Sequence, residues 1–197
     1  MLKKATTAAT SGTTKSTSSS LANRMAALDL AGSSKKASVG ATSVSAGARR
    51  LLKAQEAKLA KIIADVKSAG IEKYVKHDHW AWYVWPTTKE GMSDSAQVAV
   101  KNAEDVAFVL AAPTCAAWTE CLDILAQAVR SRKNGKRVFP SIDHGRIDFF
   151  IQEWSASDYQ EAMKAQPEFA AAFEAFASAW KEAGSSEPKI PNPWARY

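Results

Sequence analysis

Apolar residues along this chain recur at helical spacing, in blocks separated by turn-forming residues. Leu51, Leu52, Leu59, Ile62, Ile63 and Val66 make one stripe, with Lys53, Lys58, Lys61 and Asp65 opposite and Gly70 as a suitable stop. Ile71–Trp85 fits either helix or strand until Pro86 breaks it, and Lys89–Ser95 reads as a turn-rich loop. Asn102 is placed to cap a helix through Ala112 whose core face is Val106, Val109 and Leu110. After Pro113, Thr114 is placed to cap the next, where Trp118, Leu122, Leu125 and Val129 repeat at helical intervals up to the Asn134-Gly135 turn. From Asp143, Ile147, Phe150, Ile151 and Trp154 fit a helix, although Ile147, Phe149 and Ile151 also alternate as in a strand. Ser157 and Gln160 form a capping-box pattern, and Pro167 suits a first helical position. Behind it Phe169, Phe173, Phe176 and Trp180 make an aromatic stripe, ending at Gly184, at the spacing of a core face.

The pattern predicts a mainly α fold: a single compact domain of five or six helices over residues 48–184. A basic, Ser/Thr-rich arm, 1–47, precedes it, and a Pro-rich extended tail, 185–197, follows. Residues 1–50 hold 17 Ser or Thr and no aromatic residue, too little apolar surface to offset the entropy of ordering, so disorder is expected. Leu21, Met25 and Leu28 are the exception, at the spacing of a short amphipathic helix. In the tail, Trp194 and Tyr197 follow Pro188, Pro191 and Pro193 and are expected to strap back onto the domain.

Charge changes the picture of the arm. Of the net +6, residues 1–50 carry eight cations against Asp29 alone, or +7, leaving 18 cations and 19 acids, or −1, for residues 51–197. The basicity therefore belongs to the arm, for which three readings stand open: an organelle transit peptide, phosphate contacts to nucleic acid, or a solvated tail. No stretch approaches the roughly 18 apolar residues of a membrane span, so a soluble protein without a membrane partner is expected. Cys115 and Cys121 are six apart on a predicted helix, too far to bridge, and read as buried free thiols of a reducing, intracellular compartment.

Candidate chemistry concentrates in His77-Asp78-His79-Trp80-Ala81-Trp82-Tyr83-Val84-Trp85-Pro86. Indoles are flat, apolar and single donors, so they suit pocket walls that stack on planar ligands, and a neighbouring imidazole suits a phosphate or carboxylate. His79, Trp80, Trp82 and Trp85 are accordingly the candidate ligand-binding residues; the competing reading is an aromatic core cluster with wet edges. A metal bound by His77, Asp78 and His79 with His144 is a weaker rival, and no metal is expected. Arg130, Arg132, Lys133, Lys136 and Arg137 form a basic run across a helix end and a turn, suited to phosphate or nucleic acid or simply to the helix dipole. No glycine-rich nucleotide loop, nucleophile elbow or zinc-protease motif occurs, and no catalytic residue or cofactor can be named.

His79-Trp80-Ala81-Trp82-Tyr83-Val84-Trp85-Pro86 resembles the HWMWFxFPQ stretch of DUF1810, a family of small uncharacterised proteins sometimes labelled calpastatin-like. In order after it, Asn102–Pro113 is similar to the family's sLdEAraYLaHP segment, the helix through Glu120, Leu122 and Leu125 to its next segment, Asp143–Phe150 to DdlKfrSSMTLF, and Phe169–Trp180 to a terminal helix. Trp85 stands where Phe is usual and Thr87 where Gln is usual, and the double serine is missing around Arg146-Ile147-Asp148. The resemblance spans about residues 55–181 and implies a small helical domain, with no activity attached.

Three functional readings follow. The leading one is a binding module for a planar, anionic, nucleotide-like small molecule. The second is a structural or packaging protein whose basic arm binds nucleic acid or a larger assembly. The third is a hydrolase using His79 with a carboxylate.

Overall fold

Helix α1, Ala46–Ala69, starts where a serine and an aspartate from distant parts of the chain satisfy its first turn. The Ser45 hydroxyl accepts from the Ala48 N–H (3.1 Å) and donates to Asp105 Oδ2 (2.6 Å), while the Ser45 N–H donates to Asp105 Oδ1 (2.8 Å). Asp105 is fully buried and also accepts from the Lys101 N–H, so one carboxylate ties two helix starts together. This structure, a computed structural model, describes residues 44–91 and 96–185. The expectations for the arm before Val44, and for the tail after Ser185, lie outside the described residues. Ser45, Ala46 and Gly47, assigned above to the arm, belong to the domain.

Six further α-helices follow among the described residues: α2, Ala81–Val84; α3, Ala103–Leu110; α4, Thr114–Arg130; α5, Ser141–Trp154; α6, Ser157–Met163; and α7, Pro167–Ser185. A single 3-10 helix, Gly135–Val138, joins α4 to α5, and there is no strand among the described residues. The predicted stripes are the buried faces. Leu51, Leu59, Ile62, Ile63 and Val66 of α1, and Phe169, Phe173, Phe176 and Trp180 of α7, are buried, and both helices pack against α4. In α4 itself Trp118, Cys121, Leu122, Leu125 and Val129 are buried, and it is the helix around which the core is built. The helix period also wins in α5, where Ile147, Phe150 and Trp154 face inward.

Local details differ from expectation in three places. Thr114 does not cap α4: Pro113 already has helical angles, φ −56° and ψ −24°, so Thr114 lies inside the first turn and its buried hydroxyl finds no partner among the described residues. Ser157 does not form a capping box, because Gln160 turns its amide back to the Trp154 carbonyl (3.0 Å). Ile71–Trp85 is neither one helix nor one strand. It is a turn at Ile71–Lys73, an extended stretch from Tyr74 and then α2, held to the 3-10 helix by the Lys76 N–H on the Val138 carbonyl (2.8 Å). Asn102 caps α3 through the Asp105 N–H (2.9 Å), and Gly70 ends α1 with φ +80°, as their residue types require. No single described helix is long and apolar enough to cross a membrane.

Candidate functional site

The last carbonyls of α2 and those of the irregular backbone that follows it have no helical partner and must find other donors when buried. Five successive carbonyls do so, each from a different residue elsewhere in the chain. Tyr83 O accepts from Gln55 Nε2 (3.0 Å), Val84 O from Trp118 Nε1 (3.0 Å) and Trp85 O from Arg146 Nη1 (3.1 Å). Pro86 O accepts from Trp154 Nε1 and Thr87 O from the Val100 N–H, both at 3.0 Å. An indole fills apolar volume and brings one donor, which is what a buried carbonyl inside a hydrophobic core demands. Trp118 and Trp154 therefore serve as donors as well as core.

The short helix α2 and the turns flanking it divide the four candidate ligand residues two by two. Trp80 and Trp85 turn inward with Ala81 and Val84. Trp85 lies edge-on to Phe139 (4.8 Å between centroids) and stacked on Phe176 (5.8 Å), and its N–H is buried with no acceptor among the described residues. His79 and Trp82 turn outward. Their rings are nearly parallel, 14° between planes and 6.4 Å between centroids, with His79 exposed and Trp82 half-buried. The segment thus supplies a core half and a surface half, and all four residues do not edge one pocket.

Beneath Trp80 lies a buried ion pair. Lys76 Nζ is 2.7 Å from Asp143 Oδ2, with side chains only 4% and 13% exposed, and the ammonium sits 4.8 Å from the Trp80 ring centroid. The pair fastens the extended stretch before α2 to the first turn of α5. His144 next to it faces the Lys136 and Phe139 carbonyls (3.2 and 3.1 Å) and lies edge-on to Trp180. Among the described residues no group of three His, Cys, Asp or Glu is placed to hold a metal.

A family model described as a protein of unknown function, DUF1810, matches residues 45–187. The chain belongs to the DUF1810 family. No curated protein and no solved structure matches it. The DUF1810 match opens at Ser45, the residue that caps α1, and spans every described helix.

The basic run of this DUF1810 domain is largely engaged with its own fold. Arg130 donates to the Ala175 carbonyl (2.9 Å), Arg132 to the Glu72 carbonyl (3.1 Å), and Lys136 lies over the Trp180 ring (5.1 Å). Lys133 and Arg137 are exposed. Both cysteines are free and buried, and burial pushes both thiols up, which keeps them in the unreactive protonated form. Reading the sequence missed Gln55, Arg146 and Glu153 as partners of the aromatic segment. Glu153 binds the Thr88 N–H (2.8 Å) and hydroxyl (2.5 Å), and Arg146 also reaches the Lys89 carbonyl (3.2 Å). The available signal was a polar Gln within the apolar stripe of α1.

Proposed function

We propose that this DUF1810 domain is a binding module that stacks a planar, anionic, nucleotide-like small molecule on the outward half of its aromatic segment. The observation that carries the reading is the near-parallel pair of His79 and Trp82 at the surface, with Trp82 packed against the buried core. With His79 exposed at the outer end of the pair, a flat ring can extend the stack by lying on its imidazole. His77 and His79 offer N–H donors to an anionic group, and Lys61, which pairs with Asp65 and with Asp78 between the two histidines (3.2 Å), brings a cation to the segment. Binding of AMP, followed by saturation-transfer NMR on the full chain, should be lost in His79→Ala and Trp82→Ala while both variants keep nearly the native melting temperature. A wild-type protein to which neither AMP nor any other planar nucleotide binds would overturn the reading.

A second reading is favoured by the segregation of charge, +5 on residues 1–43 against +1 on the rest, together with the outward Lys133 and Arg137. Here the arm contacts nucleic acid, and affinity falls steeply with salt because each phosphate contact releases counterions. Retention of full affinity after deletion of residues 1–43 would exclude it.

A further inference from the structure

We infer that Gly91 is the positioning residue of the His79–Trp82 stack, an inference that rests on reading the stack as a ligand platform. The loop leaving the aromatic segment is latched to α5: Arg146 holds Thr87 Oγ1 (3.3 Å) and the Lys89 carbonyl (3.2 Å), and Glu153 holds Thr88. Two residues past Lys89, a Cβ added to Gly91 would fall 1.7 Å from Trp82 Nε1 and 2.2 Å from its Cδ1. The indole occupies the very space a side chain would need. Among described glycines only Gly70 has positive φ, so the demand for glycine at this position comes from the indole and not from the backbone.

The consequence is a division between stability and placement. Any side chain at residue 91 drives the Trp82 ring aside. Because that ring is half-buried, it moves without opening the core. What is lost is its parallel setting against His79. The loop latched by Arg146 and Glu153 therefore determines which way the indole faces, and so the geometry offered to a flat ligand.

Gly91→Ala in the full chain tests this through the His79 imidazole proton signals, assigned by their disappearance in His79→Gln. Trp82 ring currents displace those signals in the wild type, and in Gly91→Ala they should move toward their positions in Trp82→Ala. AMP affinity should fall roughly tenfold or more, as loss of base stacking does. Unchanged His79 signals would overturn the inference whatever the protein binds. Moved signals in a chain that does not bind AMP would uphold the positioning role and remove only the ligand reading. Should Gly91→Ala fold poorly, Trp82→Ala/Gly91→Ala decides: by the steric argument it is as stable as Trp82→Ala, and a further loss of stability would refute that argument.

Discussion

Replacing Trp85, Trp118 and Trp154 by Phe, one at a time, separates the indole N–H from the aromatic bulk. All three side chains are fully buried, so each substitution removes the same atoms from a comparable environment. The lost contacts and the space left behind cost about 1–2 kcal/mol in each case. Trp118→Phe and Trp154→Phe additionally strand the Val84 or Pro86 carbonyl in the core, about 1–3 kcal/mol more. Trp85→Phe instead deletes a buried donor that has no acceptor among the described residues, which relieves a desolvation penalty and offsets most of the cavity term. Trp85→Phe should therefore stay within about 1 kcal/mol of the parent, while the other two lose roughly 2–5 kcal/mol. Urea unfolding followed by far-ultraviolet circular dichroism measures the three directly. At roughly 2–4 °C per kcal/mol for a domain of this size, melting temperatures should also separate by several degrees. Equal losses in all three would show that the indole hydrogen bonds do not hold the aromatic segment.

Other outcomes follow from the same geometry. Lys76→Met leaves Asp143 buried without its cation and should cost roughly 3–5 kcal/mol, most of it recovered in Lys76→Met/Asp143→Leu; a loss below about 1 kcal/mol would mean water reaches the pair. Burial pushes the Tyr159 phenol up to about 12 from 10.0 and raises Tyr74 and Cys121 as well, so above pH 9–10 the unfolded chain releases protons that the folded chain retains. Stability is then fully present below about pH 9 and declines from there toward pH 12, and an unfolding midpoint constant from pH 8 to 10.5 would contradict this. Arg49 and Arg50 lie within α1, so limited trypsin digestion should spare both bonds; early cleavage at either would place the start of α1 later in the chain.

Most of the helical architecture was legible because the stripes of α1, α4, α5 and α7 are long enough for period 3.6 to stand out. Asn102, Gly70 and Pro167 also act as local rules require. Thr114 and Ser157 did not, because each depends on a neighbour: Pro113 entering the helix early, and the Trp154 carbonyl attracting Gln160. The aromatic segment was conspicuous in the sequence, but its division was not. Which rings face inward depends on the phase of a four-residue helix, too short to show a period, and on partners far away in the chain. The same holds for Arg130, Arg132 and Lys136, which look like a free basic run until the carbonyls and the ring they meet are known.

The aromatic segment also carries a kinetic consequence. Four of the five held carbonyls are bound by side chains 28, 34, 61 and 68 positions away, so none of these four bonds can form by local collapse. Chain closure on that scale must precede them, and α1, α4 and α5 have to be assembled before the segment is locked between them. Disrupting these bonds should therefore accelerate unfolding far more than it retards folding, with φ-values near zero for Trp118→Phe and Trp154→Phe. The segment is then the last part of the domain to set, and its bonds govern how long the folded state persists once formed.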